Sequence, residues 1–222
     1  MAGPTRPRGT TAGGSNPRFP GFDVLSQADT WDQTTAGVVL ARTSLQPALR
    51  FFTPAEEAIA GSLFDQLLAQ WDEPKVAVLQ MVDARLAELQ SDGWRYEEMP
   101  EDAEAWRRSL HALDQDAGER FGGAGFAELT RSRQSDLIQA VQDLGGESWH
   151  DIPAGHVWSL WTRYACTAFY SHPWAWNEIG FGGPAYPRGY ARLGIGLRER
   201  WEAPDQAPTD PVEATGRKDR DS

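Results

Sequence analysis

The stretch that decides the fold reads Thr53-Pro54-Ala55-Glu56-Glu57-Ala58-Ile59-Ala60-Gly61-Ser62-Leu63-Phe64-Asp65-Gln66-Leu67-Leu68. Thr53 can accept hydrogen bonds from the free backbone N–H groups of a helix, Pro54 suits the first helical position, and Glu56 completes a capping box. The apolar residues then recur at helical spacing, at Ile59, Leu63, Leu67 and Trp71. The sequence therefore predicts a helix that begins at Pro54 and ends before Pro74.

Apolar residues recur with the same period in four further segments, and glycines or prolines separate them. These segments predict helices over 76–89, 102–121, 130–144 and 153–170. In the first of them, Asp83, Arg85 and Glu88 are expected to face solvent. Alternating strand patterns of convincing length are missing, so the predicted fold class is all-α.

The domain organisation follows from the distribution of Gly, Pro and charge. We expect one helical domain of about five main helices over 21–201, closed by a Gly/Pro/aromatic-rich loop at its C-terminal end. Residues 1–20 and 202–222 are polar and rich in helix-breaking residues, and we expect both to be disordered tails.

Composition excludes several classes of protein. A net charge of −11 disfavours a nucleic-acid partner, which requires clustered Lys and Arg. No window reaches the roughly 20 apolar residues of a membrane helix, so direct membrane insertion is not expected. The single cysteine, Cys166, excludes an intramolecular disulfide, and its apolar neighbours predict that it is buried.

The segment from Tyr164 to Tyr190 combines rigid aromatic residues with prolines and glycines. The helix at 153–170 is apolar on nearly every face, which is typical of a helix that is central in its domain or covered by a partner. Trp174, Trp176 and the aromatic residues after them either close over the domain's own core or contact another protein. The residue types alone support these two interpretations equally.

His172 with Glu178 is the best candidate for an acid–base pair, and an enzyme using the two is the alternative function. The structural interpretation, in which His172 caps the broken helix or contacts a loop carbonyl, is favoured because no nucleophile or second base accompanies it. A metal site built from His156, His172 and Glu178 lacks the spacing of a metal-binding helix. Residues 180–185 match the dinucleotide pattern G-x-G-x-x-A, but without the strand and helix that pyrophosphate binding needs.

Three motifs in succession carry a family resemblance: Phe51–Glu57, Leu113–Ala117 running into Phe121-Gly122, and Phe169–Pro173 followed by Trp176–Pro184. Over about residues 51–190 the chain resembles the gluconate 2-dehydrogenase subunit 3 family. Members of that family are small accessory subunits of flavoprotein sugar and polyol dehydrogenases. The resemblance implies a GMC-type large subunit that holds FAD, and often a cytochrome c subunit that receives the electrons.

The resemblance also implies that this chain has no catalytic residues and no cofactor of its own, and that it helps the large subunit to assemble or mature. It favours the aromatic segment as the subunit interface. The residues expected there are Trp158, Trp161, Tyr170, His172, Trp174, Trp176, Asn177, Glu178, Phe181, Tyr186, Arg188 and Tyr190.

The N-terminal region departs from the family in one respect. Small subunits of this family often bear a twin-arginine export signal, whereas here Arg6 and Arg8 are separated by Pro7 and no apolar segment follows. We therefore expect a cytoplasmic protein, with the periplasm as the alternative if a partner carries the export signal.

Overall fold

The computed structural model describes residues 10–12, 18–19, 21–44, 48–192 and 194–204. A 3₁₀ helix at Val24–Thr30 precedes the first α-helix, and a second lies at Phe126–Glu128. The α-helices are α1 (Gln33–Ala41), α2 (Pro54–Leu68), α3 (Val78–Ala87), α4 (Asp102–Arg120), α5 (Arg131–Asp143), α6 (Ala154–Tyr170) and α7 (Pro173–Ile179). Two short antiparallel strands, β1 (Ser148–Trp149) and β2 (Ile152–Pro153), lie between α5 and α6.

The all-α fold class is confirmed, and the five predicted helices correspond to α2 through α6. The capping box that predicts α2 is present. The Thr53 hydroxyl accepts from the Glu56 backbone N–H at 3.3 Å, and the Glu56 carboxylate accepts from the Thr53 N–H at 2.8 Å. Both N-terminal donors are thereby satisfied within one turn, which explains why this boundary is readable from the sequence.

Helix α6 is the centre of the domain. It packs against α2, α3, α4, α5 and α7, so it meets neighbours on several sides. Trp161 and Tyr164 are almost completely buried on it, and Trp106 of α4 joins them in the main core. Of the two explanations for a helix that is apolar all round, central packing accounts for most of α6.

Asp83 on α3 corrects the expectation that it faces solvent, because only 1% of it is exposed. Its carboxylate accepts from the backbone N–H groups of Arg50, Phe51 and Phe52 at 2.7, 2.9 and 2.9 Å. One buried side chain therefore satisfies three consecutive backbone donors and fixes the path of the chain into α2.

The residues before α2 build a second core, which the helical periodicity of the sequence does not predict. Its buried members are Phe22, Val24, Trp31, Val39 and Trp176. Four of these five come from 22–39, and Trp176 comes from α7. The 3₁₀ helix and α1 therefore form a layer that covers the C-terminal end of the main domain.

The predicted tails lie mostly outside the described residues, and their boundaries stay predictions. Within 1–20, Ala12 is buried against the main core, and Phe19 packs on the second core. Within 202–222, Ala203 also packs on the second core. In the part of the chain that the structure describes, no helix has both the length and the apolar character needed to cross a membrane.

Candidate partner-binding surface

The junction between α6 and α7 corrects the predicted loop. The helix breaks where the sequence indicates, at Ser171–Pro173, but Pro173 then occupies the first turn of a new helix. His172 is the N-cap residue of that helix, and its extended backbone (φ −92°, ψ 137°) suits this position. Proline thus ends one helix and begins the next, which the sequence interpretation treated as a break alone.

His172 links α7 to the end of α1. Its Nδ1 accepts from the Trp174 backbone N–H at 3.2 Å, and its Nε2 donates to the Arg42 carbonyl oxygen at 2.9 Å. Arg42 in turn donates through its guanidinium to the Ser171 carbonyl at 2.6 Å. The ring therefore caps a helix and contacts a loop carbonyl, the two roles of the structural interpretation.

The hydrogen bonds of His172 define its protonation state. One ring nitrogen accepts and the other donates, which only the neutral imidazole can do. Burial lowers the pKa of His172, and the nearby positive charge of Arg42 lowers it further, against an opposing effect of the bond to the Arg42 carbonyl. With 3% of the residue exposed, a proton on Nδ1 would face the Trp174 N–H without an acceptor.

We expect this buried histidine to lower the free energy of unfolding of the protein in acid. Its pKa is near 6.5 in the unfolded chain and lower in the folded chain, so the unfolded chain binds more protons below about pH 6.5. The stabilisation is complete above that pH and is lost as the pH falls through the folded-state pKa. Urea unfolding of the wild type and His172→Asn from about pH 8 to about pH 5 measures the effect.

Asparagine is the control because it caps helices well and does not titrate in this range. The free energy of unfolding of the wild type should fall relative to that of the variant as the pH is lowered. A difference that stays constant over this range would show that His172 is not held neutral by the fold.

Trp176 and Asn177 on α7 are committed to internal contacts. Trp176 Nε1 donates to the Tyr170 carbonyl at 2.6 Å, and 6% of the residue is exposed. The Asn177 side chain accepts from the Val24 N–H at 2.8 Å and donates to the Thr10 carbonyl at 2.9 Å. Both residues tie α7 to the N-terminal layer, and little of either is exposed to solvent; their predicted place at an interface stays a prediction.

The glycines after α7 are required by close packing. Gly183 has φ +78°, and a Cβ there would lie 2.7 Å from the Trp31 ring. At Gly180, with φ +72°, a Cβ would meet the Phe19 ring at the same distance. The space beside these two glycines is therefore filled by aromatic rings of the same chain, and a larger residue would not fit at either position.

Arg188 fastens the segment after the glycines to the N-terminal layer. Its guanidinium donates to Gln27 Oε1 at 3.0 Å, to Thr30 Oγ1 at 2.9 Å and to the Gly182 carbonyl. It also lies 4.4 Å from the centroid of the Trp201 ring. Burial lowers the pKa of Arg188. This arginine is an internal clamp within the described chain, and its predicted place at an interface stays a prediction.

The structure divides the predicted interface residues by exposure. Four of them lie in the interior, and internal hydrogen bonds satisfy their polar side-chain atoms: Trp161, His172, Trp176 and Asn177. Trp158 and Trp174 are partly buried against the main core. The exposed members are Tyr170, Phe181, Tyr186 and Tyr190, with 48%, 42%, 68% and 48% of each residue in solvent. Among the predicted interface residues, this last group is the one that offers large exposed apolar area to another molecule.

Three of the residues at this end of the molecule share one open hollow of about 400 Å³. Phe181, Tyr190 and Leu197 line it together, and all three are exposed. Leu197 and its neighbour Ile195 were missed by the sequence interpretation, as was Ile179 at the end of α7. The sequence pattern that could have indicated this exposure is Gly194-Ile195-Gly196-Leu197. Its glycines have no side chains that could cover the apolar residues between them.

Cys166 corrects the expectation of burial, because it is exposed. Cys166, Thr167 and Tyr170 lie on one side of α6 and are all exposed, so the apolar run of this helix extends beyond its packed faces. Glu178 is half-buried, and burial raises the pKa of its carboxyl group. In the described part of the chain, no hydrogen bond or ion pair joins Glu178 to His172, whose two ring nitrogens are already engaged.

Metal ligation finds no support in this geometry. Within residues 10–12, 18–19, 21–44, 48–192 and 194–204, no three His, Cys, Asp or Glu side chains come together as metal ligands would. His156 stacks on Tyr96 with ring centroids 3.7 Å apart and lies 3.6 Å from a Glu98 oxygen, so it is not grouped with His172.

A family model described as gluconate 2-dehydrogenase subunit 3 matches residues 54–183, more than half of the chain. The chain belongs to the gluconate 2-dehydrogenase subunit 3 family. The family name describes a subunit of a dehydrogenase, which implies a dehydrogenase partner. No curated protein and no solved structure matches the chain.

The match to the gluconate 2-dehydrogenase subunit 3 family begins at the first residue of α2 and ends at Gly183. It includes most of the main core, the α6–α7 junction, and Gly180 and Gly183, which pack on the rings of Phe19 and Trp31. The N-terminal layer lies before the matched range, and Tyr186, Tyr190 and the hollow's Leu197 lie after it. The exposed aromatic residues therefore sit partly on the family domain and partly on the segment that follows it.

Proposed function

We propose that this chain is the non-catalytic accessory subunit of an FAD-dependent sugar or alcohol dehydrogenase, and that it helps to assemble or mature a GMC-type large subunit. Membership of the gluconate 2-dehydrogenase subunit 3 family is the observation that carries the proposal. FAD belongs to the large subunit in this proposal, and a cytochrome c subunit is a second candidate partner.

The contact surface in this proposal is the aromatic surface, defined as Phe181, Tyr186 and Tyr190. Their exposed fractions of 42–68% leave rigid apolar rings in water. Tyrosine is enriched among the residues that dominate binding energy, because its ring buries a large area and few rotamers are lost. Rigid rings that are left exposed in this way are typical of a surface that another protein covers.

The alternative, an enzyme using His172 and Glu178, has less support. Both ring nitrogens of His172 are engaged, and the residue is buried at 3% exposure. A general base needs a free nitrogen within hydrogen-bonding reach of a substrate. The purified chain should therefore be colourless and inert towards sugars and alcohols in the presence of an artificial electron acceptor. Turnover that His172→Asn abolishes would favour the enzyme.

The direct test is purification of the tagged chain from the cells that naturally produce it. We expect a large flavoprotein to co-purify in a fixed ratio, recognised by flavin absorbance and by mass spectrometry, which would also reveal a cytochrome c subunit. Removal of the chain's gene should lower the flavin content or the yield of the large subunit. A large subunit that is flavin-loaded, active and monomeric without this chain would contradict the proposal.

We expect Tyr186→Ser to weaken binding of the large subunit by at least about 2 kcal/mol, or about thirtyfold in Kd. Tyr186 is 68% exposed, so its loss should leave the fold intact. Leu89→Ser is the matched control, since Leu89 is 83% exposed on the loop after α3. Isothermal titration calorimetry gives both values; equal Kd values for the two variants would place the interface elsewhere.

A further inference from the structure

The described residues of the segment at 191–199 form a loop whose ends are held together by one buried carboxylate. Glu199 is 5% exposed, and its Oε1 accepts from the backbone N–H groups of both Ala191 and Arg192. The Glu199 N–H donates to the Glu202 carboxylate at 2.7 Å. The loop therefore has a defined base, at which one buried side chain satisfies two backbone donors.

The tip of this loop is a tight turn that presents apolar side chains. The Leu197 N–H donates to the Gly194 carbonyl at 3.2 Å, and Gly196 takes the left-handed conformation at φ +71° that such a turn requires. Ile195 is wholly exposed at 106%, and Leu197 is 59% exposed. No described residue covers Ile195, so the turn holds this side chain in water.

The surroundings of the tip are basic, in contrast to the rest of the chain. Residues 184–201 contain four arginines and a single acidic residue, whereas the whole chain has a net charge of −11. Arg188 is the internal clamp described above, and Arg192, Arg198 and Arg200 are exposed. Glu199, the only acidic residue of the segment, is engaged with the loop's own backbone. The loop thus combines an apolar tip with a positively charged rim.

We propose that the loop at 191–199 is a preformed docking element that enters an apolar hollow with an acidic rim on the large flavoprotein subunit. This inference rests on the proposed function and names the chemistry of the partner surface. The occupant must supply apolar area for Ile195 and Leu197 and carboxylates for the three exposed arginines. Because the loop is closed before binding, little ordering entropy opposes its insertion.

An anionic membrane would offer the same combination of charge and apolar depth, but the structure favours a protein. The remainder of the chain is strongly acidic and would be repelled by an anionic bilayer. Two apolar side chains at a tip also bury far less area than the amphipathic helix or acyl chain of a membrane anchor.

The test uses the large subunit that co-purifies with the wild-type chain. Its Kd is measured for the wild type, for Arg192→Glu/Arg198→Glu and for Ile195→Ser/Leu197→Ser, at increasing ionic strength. We expect each double variant to raise Kd by about tenfold or more, and the charge reversal to flatten the dependence on salt. The control is Arg108→Glu/Arg120→Glu, an equal change of charge at exposed positions on α4, with an effect below about twofold.

The outcomes separate this inference from the proposed function. A wild-type chain that binds no flavoprotein would overturn both. Binding by the wild type with unchanged Kd values in both loop variants, whose thermal unfolding matches the wild type, would overturn the docking loop alone. Phosphatidylserine vesicles are the second probe: if the loop variants lose vesicle binding and keep their affinity for the large subunit, the loop is a membrane contact and the inference is wrong.

Discussion

Trp161→Ala is expected to lower the free energy of unfolding by about 3–5 kcal/mol, a large part of the stability of a typical domain. Trp161 is fully buried on α6, and its ring packs edge-on against Trp149 at 5.7 Å. Its Nε1 donates to the Ser109 hydroxyl at 3.0 Å, so the substitution removes both apolar volume and a buried hydrogen bond. Central helices cannot close the resulting cavity without disturbing their neighbours.

Urea unfolding followed by circular dichroism measures this loss. Trp161→Phe should cost less, because it keeps part of the volume and removes only the hydrogen bond and some contacts. Tyr170→Ala on the same helix is the control, since Tyr170 is 48% exposed and should cost less than about 1 kcal/mol. A similar small effect at Trp161 would show that this ring is not part of the core and would restore it as an interface candidate.

Asp83→Ala is expected to destabilise the fold by about 3 kcal/mol, because three backbone donors lose their shared acceptor. The Phe52 N–H is buried and has no route to water, and the Phe51 and Arg50 donors are partly buried. The substitution also frees the chain that leads into α2, so the stability of that helix should fall with it.

Asp83→Asn separates the hydrogen bonds from the charge. Its amide oxygen can take the place of Oδ1, which accepts from Phe51 and Phe52, so that only the Arg50 bond is lost. We expect Asn to cost roughly 1 kcal/mol, and Asp136→Ala at an exposed position of α5 to cost less than about 0.5 kcal/mol. Equal stability of the Ala and Asn variants would mean that Asp83 does not organise this turn.

Local signals account for the parts of the fold that the sequence predicts well. Helices α2 to α6 carry caps, glycine stops or a clear apolar stripe, and each is encoded within its own residues. Helix α1 carries no such stripe, because Val38 and Leu40 are exposed on either side of the buried Val39. Its place depends on Trp176 and on the α6–α7 junction, which are far away in the chain.

The exposure of individual residues was harder to predict than the helices. Asp83 sits where helical periodicity points to solvent, and only the fold brings Arg50–Phe52 to it. Trp176 and Tyr186 are both rigid aromatics near prolines, yet one is 6% and the other 68% exposed. Residue type predicts that such rings will be covered; it does not say by which molecule. The cytoplasmic location, the FAD-bearing partner and the partner-binding role of the surface stay predictions.

The second core and its contacts join residues that are far apart in the sequence and are therefore synthesised at different times during translation. Trp31 leaves the ribosome early, but Gly183, which packs against its ring, and Trp201, whose carbonyl accepts from Gln27, are among the last described residues to emerge. Residues 22–39 must therefore wait, with Phe22, Val24 and Trp31 uncovered, until the residues from Trp176 to Trp201 have been synthesised. A nascent chain of this protein consequently carries an apolar stretch that holding chaperones can recognise until those later residues emerge from the ribosome.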